Sequence, residues 1–510
     1  MKTIKSLTEA EIAEFPTLPD EWKWARLGEL VNDIVVGYVG PITQYLTDDQ
    51  NNGIRFLSTT HIGENQFLSH KEIRYVTNEF SVNNKKSEVI AGDIIVARHG
   101  DSGKCCIIPP YIKKAQVSNA VIIRPNNELF VNLYIMYSFG YLKRHLQKKK
   151  VGGVQQVVNT KTMEAFPFPL PPLPEQRAIV FKIEQLFSEL DNGIANLKLA
   201  QEQLKVYRQA VLKKAFEGEL TKKWREQQTD LPNTQNLMEQ IRREWEEATK
   251  ASGKKTKAVK NLTEAELEEL SLLPEGWGWV KLGRVVWSVK DGPHYSPKYE
   301  ENGIPFISGG NVRPSGVDFS NVKYISKELH EELSKRCKPE LNDILYTKGG
   351  TTGVARVNTY DFDFDVWVHV AVLKTIKSIY PFYLQHVLNS SHCYRQSQKY
   401  THGVGNQDLG LTRMILITLP ICSFSEQEVV VQEIETRLSV CDKIEQDIET
   451  NLEKAEALRQ SILKKAFEGK LLNERELAEV RGAEDWEPAE VLLERIKAER
   501  VKNGKSEELL

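Results

Sequence analysis

A chain of 510 residues, 40% hydrophobic and with a formal net charge of −2, has room for roughly two to four domains with buried cores. No stretch approaches the roughly 18 apolar residues of a membrane span, and the opening MKTIKSLTEAEIAEF has neither the apolar core of a secretory leader nor the acid-poor make-up of a transit peptide. The six cysteines (Cys105, Cys106, Cys337, Cys393, Cys422 and Cys441) form no CxxC pair, so the expectation is buried free thiols in a soluble cytoplasmic protein, with no disulfide framework or zinc site.

Residues 1–21 form an N-terminal segment leading into a first block, 22–170. Here short β-rich runs (IRFLS, VIAGDIIVA, AVIIRP) are bounded by Gly, Asn, Asp and Pro, and the helical stretch LYIMYSFGYLKRHLQKK comes late. A long helix is predicted over 171–220, with Pro174 at its start and Glu175 near the positive end of its dipole. Ile183, Leu186, Leu190, Leu197, Leu204 and Val211 recur near the 3.5-residue period of a coiled-coil seam, continued by Ala200 and Tyr207 and weakened at Gly193. A charged linker, 221–261, precedes a second block with its entry segment, 262–420, in which PFISGG, DILYTKGG and VWVHVAVLKT are β-rich and PFYLQHVLNSSHCYRQSQK is helical. A second long helix is predicted over 421–472, its seam running through Ile434, Leu438, Cys441, Ile444, Ile448, Leu452, Ala455, Leu458 and Ile462. Residues 473–510 make a C-terminal helical tail. Each long helix spans about 40 residues, or roughly 60 Å, and is poorly supported alone. The two therefore read as partners in one coiled coil, with Gly218 and Gly469 as C-caps.

The same elements occur twice. VLKKAFEGEL (211–220) and ILKKAFEGKL (462–471) agree at eight of ten positions. LTEAEIAEFPTLPDEWKWARLGEL from Leu7 is answered by LTEAELEELSLLPEGWGWVKLGRV from Leu262, GIRFLS from Gly53 by GIPFIS from Gly303, and GDIIVARHGDSG from Gly92 by NDILYTKGGTTG from Asn342. The chain is two copies of one unit of roughly 250 residues, and a repeat of this kind comes before any fold assignment. The flanks are alike and the blocks between them differ, which suggests a common frame holding two separately tuned modules. The near-zero net charge hides a matching pattern. Trp22 to Phe166 carries 18 Lys and Arg against 12 Asp and Glu, and Trp277 to Ile417 carries 17 against 13, so both blocks are basic and the remainder is acidic.

Catalytic motifs are missing. Ile108-Pro109-Pro110-Tyr111 lacks the polar first residue of an adenine-methylation motif, and Gly100-Asp101-Ser102-Gly103-Lys104 lacks the spacing of a phosphate loop, so both read as turns. No HExxH pair occurs, no metal site is expected, and Asp361, Asp363 and Asp365 read as a solvated strand edge. What repeats is a set of polar loops. Thr59, Thr60 and His61 correspond to Gly309, Gly310 and Asn311, followed by Arg313. Arg98, His99, Asp101, Ser102 and Lys104 correspond to the stretch with Lys348, Thr351 and Thr352. Gln155 and Gln156 correspond to Asn406 and Gln407. Arg and Lys can read guanine, Gln and Asn adenine, and Ser and Thr phosphate or base edges. Three loops changed in chemistry between copies point to two binding surfaces of different specificity. Lys161, Lys290, His294 and Tyr295 complete the candidate DNA-binding set, and no catalytic residue is assigned.

At PLPPLPEQRAIV and RQAVLKKAFEGELTKKWRE the chain resembles the specificity (S) subunit of type I restriction–modification systems, over nearly its whole length. The second copy departs from PPLPEQ as Ile421-Cys422-Ser423-Phe424-Ser425-Glu426-Gln427. The resemblance implies an α+β fold: two pseudo-symmetric mixed α/β target recognition domains separated by a long antiparallel two-helix coiled coil. It implies a non-catalytic subunit, each domain reading one half of a split double-stranded DNA target. It also implies docking of two modification subunits that carry S-adenosylmethionine (SAM) and methylate adenine, and restriction subunits that use ATP and Mg. No cofactor is expected on this chain. Two rivals are a stand-alone methyltransferase or nuclease and a protein-binding scaffold.

Overall fold

The structure, a computed structural model, describes residues 4–63, 73–99, 104–126, 128–148, 158–253, 259–403 and 408–507. The chain divides into two compact units, one made of residues 1–197 with 450–510, the other of residues 198–449.

In the first unit an antiparallel four-stranded sheet runs in the order Val31–Val36, Ala120–Pro125, Ile94–Ala97, Cys105–Ile107. Its central strands are apolar on both faces, as expected where both sides are covered. Ile94, Val96, Val121 and Ile123 join a core with Tyr134, Phe139 and Phe168, whereas Ile95, Ala97, Ala120 and Ile122 pack on the other side with Leu57 and Val117. A five-stranded sheet contains the parallel pair Ile54–Leu57 and Ala115–Val117. The strand Lys23–Arg26 pairs with Pro167–Leu170, joining the entry of the block to its exit.

The second unit repeats this plan. Its four-stranded sheet runs Val286–Asp291, Val370–Thr375, Ile344–Thr347, Ala355–Val357, with Ile344, Tyr346, Ala371 and Leu373 in one core and Leu345, Val370 and Val372 in another. Ile304–Ile307 and Asp365–Val366 form the parallel pair, and Gly278–Lys281 pairs with Thr418–Ile421.

Two 44-residue helices, Leu173–Phe216 and Phe424–Phe467, account for the long periodic stretches. Each contributes one end to each unit. In the first unit the start of one helix packs with the end of the other (Ile183 and Phe187 share a core with Ile462, Leu463 and Phe467). In the second unit the roles are exchanged (Val430 and Ile434 with Val211, Leu212 and Phe216). The pair is therefore antiparallel. The seam differs from the sequence expectation in its second row. Tyr207, Ile444 and Leu458 are exposed, and the residues one position later, Arg208, Glu445 and Arg459, face inward instead. Arg208 bonds Asp442 (2.7 Å) and Glu445 (2.9 Å), and the Arg459 guanidinium lies 4.4 Å from the Phe187 ring centre while pairing with Asp191. Long stems of charged residues cover apolar surface while their heads find partners, which a count of apolar letters misses.

The helix starts explain the Glu-Gln signature in both copies. Gln176 accepts a hydrogen bond from the Val131 amide (3.0 Å) and donates to the Pro171 carbonyl (3.0 Å). Gln427 accepts from the Tyr380 amide (2.8 Å) and donates to the Ser378 and Cys422 carbonyls. Beside them Glu175 and Glu426 are buried carboxylates. The first accepts from the Trp22 indole (2.7 Å) and Arg481 (3.2 Å), the second from the Thr221 hydroxyl (2.7 Å) and the Arg225 guanidinium.

The ends are capped as expected. Gly218 (φ +75°) and Gly469 (φ +70°) are left-handed. The amides of Glu219 and Lys470 reach back to the carbonyls of Lys214 and Lys465 (3.0 and 2.7 Å), the Schellman arrangement. Ala215 and Phe216, like Ala466 and Phe467, are core residues. The repeated KKAFEG phrase thus has an internal packing reason for its likeness. All six cysteines are buried free thiols. Among the described residues no helix is long and apolar enough to cross a membrane.

Candidate nucleic-acid interface

Equivalent strands place equivalent loops in the two units. After Ile54–Leu57 the chain makes the one-turn helix Thr59–His61, closed by the Ser58 amide donating to His61 Nδ1 (3.0 Å). After Ile304–Ile307 it makes Gly309–Asn311, closed by the Ser308 amide donating to Asn311 Oδ1 (2.9 Å). His61 and Asn311 therefore hold their own turns. His61 is buried, while Thr60 is exposed and Thr59 half-buried. Arg313 is exposed beside Asp318 (2.9 Å).

The second loop leaves the central strand of each four-stranded sheet. In the first unit Arg98 is half-buried and laced to the third-loop region: its Nε donates to the Val158 carbonyl (3.2 Å), and the Val158 amide donates back to the Arg98 carbonyl (3.3 Å). This brings Arg98 and the exposed His99 near Lys161, exposed on the short helix Thr160–Glu164. Lys104 is half-buried. In the second unit the Leu409 amide donates to the Lys348 carbonyl (2.7 Å), the same lacing.

The side chains, however, differ. Lys348 is 2% exposed and its ammonium is held by Asp408 (2.7 Å) and Asp291 (3.5 Å). An ammonium so enclosed is not presented to a base, which corrects its place in the candidate set. Thr352 is buried as well, while Thr351 is exposed. Lys290 is half-buried, and His294 and Tyr295 are exposed at the mouth of a cavity of about 330 Å³ that Asp291, Arg336, Cys337 and Asp365 also line. Asp101, Ser102, Gln155, Gln156, Asn406 and Gln407 lie outside the described residues.

The Asp361, Asp363 and Asp365 series is not a solvated edge. The strand is only Asp365–Val366. Asp361 is exposed, Asp363 pairs with Lys338 (2.9 Å), and Asp365 is 1% exposed with Oδ2 2.6 Å from His330 Nδ1. Burial pushes the Asp365 carboxyl up, opposed by His330. A single inward residue in a short strand defeats the alternation argument. Among the described residues no cluster of His, Cys, Asp and Glu could hold a metal ion.

VWVHVAVLKT, which reads as one β-rich run, is broken by a turn. Trp367, Val368 and His369 lie between the strands Asp365–Val366 and Val370–Thr375. In the first unit Ser118 and Asn119 alone fill this place, between Ala115–Val117 and Ala120–Pro125. The frames match: the Ser118 amide donates to the Leu57 carbonyl (2.9 Å) and the Trp367 amide to the Ile307 carbonyl (2.8 Å). The aromatic and imidazole side chains of this turn escaped the sequence reading because valines surround them. The signal available was a length difference of one residue between otherwise register-matched copies.

Comparison with known proteins bears on this arrangement. The family described as type I restriction modification DNA specificity domain matches residues 19–199 and again 274–454. The chain is 28% identical over 348 residues to the EcoBI type I restriction enzyme specificity subunit of Escherichia coli, covering 68% of this chain and 67% of that one. It is 20% identical over 463 residues to the MjaVIII specificity subunit of Methanocaldococcus jannaschii, covering 89% and 94%. In fold it is similar to the HsdS subunit from Thermoanaerobacter tengcongensis (TM-score 0.52, 18% identity, 89% and 98% covered). It is also similar to a chain from a structural study of type I R-M complex assembly and conformational transition (TM-score 0.62, 17% identity, 89% and 100% covered).

Proposed function

From the premise that this chain belongs to the type I restriction–modification DNA specificity family, its model matching both repeats, we propose that the two recognition modules each read one half of an asymmetric, bipartite DNA target. The chain is a non-catalytic recognition component, with DNA as its ligand and modification and restriction subunits as its partners. Adenine methylation, with SAM, and ATP-driven cleavage, with Mg, are assigned to those partners, in the cytoplasm.

The observation that carries the reading is the pairing of one frame with two chemistries. Equivalent strands and backbone bonds support Thr60, Arg98 and His99 in one unit and Arg313 and Thr351 in the other, with Lys161 added in the first and His294 and Tyr295 in the second on elements of their own. Modules of one design that present different side chains suit two different half-sites, and tethering makes the second binding event effectively intramolecular. Two antiparallel 44-residue helices give a semi-rigid connection that would fix the gap between half-sites as a length and dock two modification subunits. Because the methylated base lies inside a duplex, those subunits must extrude it.

The test is DNA selection, or methylome sequencing, with the complex assembled on this chain. A split, non-palindromic motif is expected. Failure to enrich any split motif would favour a scaffold, and methyl transfer from SAM by the purified chain alone would favour an enzyme.

A further inference from the structure

We propose that the Trp367-Val368-His369 turn is the base-reading tip of the second recognition module, the Trp367 indole making apolar contact and His369 a hydrogen bond to a base edge. This rests on the DNA-recognition reading above and adds a specificity determinant to it.

Three observations converge. The turn is gripped by both loops that the sequence marks as polar and repeated: the Lys348 amide donates to the His369 carbonyl (2.9 Å), and a Cβ on Gly349 would run into His369 Nδ1. A Cβ on Gly309 would stand 3.0 Å from the Gly349 carbonyl and 3.6 Å from His369 Cβ, so the three segments meet at one point. Glycine at 349 is what lets the imidazole lie against the backbone.

The rings are also unexplained by packing. Trp367 and His369 stand edge to face, centres 4.9 Å apart. Both are half-buried, and neither belongs to the hydrophobic clusters of the second unit. Trp367 Nε1 and His369 Nδ1 have no hydrogen-bond partner among the described residues. Both nitrogens are enclosed by the protein, so it is the remaining surface of the two half-buried rings that is open to a base.

The third observation is the contrast between copies. Where the frame is the same to the register, the first unit has the two small residues Ser118 and Asn119, and the second has a tryptophan, a valine and a histidine. Lys348, the counterpart of Arg98, is enclosed by carboxylates. The second module thus replaces a cationic reader by an aromatic one. An apolar face suits the thymine methyl, and an imidazole can donate to or accept from a base edge in the major groove.

The experiment compares the complete complex, with its modification subunits, carrying wild-type chain, Trp367→Ser, Trp367→Phe, His369→Asn, or Ser-Asn in place of residues 367–369, in DNA selection against a randomised split site. With wild type enriching a split motif, Trp367→Ser and His369→Asn are expected to relax preference by about tenfold at one or two positions of one half-site, leaving the other half and binding to unrelated DNA unchanged. Retention of both half-sites by these variants would overturn the proposal and leave the recognition reading intact. So would equal loss on all sequences, the mark of a phosphate or purely structural role. Should the turn replacement or Trp367→Ser fail to assemble, His369→Asn decides by the same criteria, while Trp367→Phe, which keeps an apolar ring, is expected to hold the half-site preference. A wild-type complex that enriches no split motif would instead sink the recognition reading itself.

Discussion

His330 Nδ1 and Asp365 Oδ2 stand 2.6 Å apart inside the second unit, where the first unit has Ser81 and Gln116, 2.9 Å apart. Both pairs join the helix capped by Thr77 or Ser326 to the shorter strand of a parallel pair. The two copies share the contact and differ in its chemistry, neutral in one and ionisable in the other.

That exchange predicts strong coupling. Removing His330 alone strands a buried carboxylate, so His330→Ser should cost about 3 kcal/mol or more, while the double change His330→Ser with Asp365→Gln should recover much of the loss by rebuilding the first unit's neutral pair. Thermal unfolding of the single and double variants measures the coupling. Additive losses would show that the two side chains act independently.

His392 predicts a pH dependence. It is held below its ordinary value by burial beside the Trp279 ring (centres 5.0 Å apart), opposed by its hydrogen bond to the Thr418 carbonyl and helped by the nearby Arg395 charge. Below the unfolded value near 6.5 the unfolded chain takes up a proton that the folded chain resists. This contribution to stability is therefore present at pH 7 and lost as pH falls through the lowered native value. Replacing His392 by Gln should flatten the fall in melting temperature between pH 7 and 5.

Gly218 and Gly469 predict a matched pair of losses. Alanine at either would be held left-handed, costing roughly 1–2 kcal/mol, and its methyl would press on Pro274 (2.5 Å) or Pro19. Both variants should lower the melting temperature, and an unchanged value for either would mean that its helix end rearranges freely.

The loops predict a polarity in DNA recognition. Arg98→Ala should weaken cognate binding or relax one half-site alone, whereas Lys348→Ala should act mainly through stability, since it uncovers Asp291 and Asp408. Selection profiles next to melting curves separate the two; a uniform loss across sequences for Arg98→Ala would indicate phosphate contact.

The helices predict a ruler. Deleting one heptad from each should preserve the seam and shorten the pair by about 10.5 Å, equivalent to about three base pairs at 3.4 Å each. Methylome sequencing should find the same half-sites at a shorter gap, and an unchanged gap would remove the ruler.

The duplication, the α+β blocks and the long helices were legible because each rests on patterns that repeat over many residues. Side-chain direction within short elements was not. Asp365 turns inward because its strand has two residues, Lys348 because Asp408 and Asp291 close over it, and Arg208 and Arg459 enter the seam because their stems are apolar. The Trp367 turn was hidden by the valines around it, whose strand propensity makes VWVHVAVLKT read as one continuous strand.

The joint between block and helix is the same in both copies. Tyr134 donates to the Pro169 carbonyl (3.1 Å) and Tyr383 to that of Pro420 (3.0 Å), while Gln176 and Gln427 each receive a block amide. One phenol, one carboxamide and main-chain atoms make its polar part, beside apolar packing such as Tyr137 on Phe187 and Tyr383 on Phe216, and none of these residues lies in the block's far loops. A block from another chain would need the tyrosine, the free amide and the matching apolar face to seat on the same helices. Joint and loops are thus separate parts of each block, so a change of loop chemistry leaves the hydrogen bonds of the joint where they are.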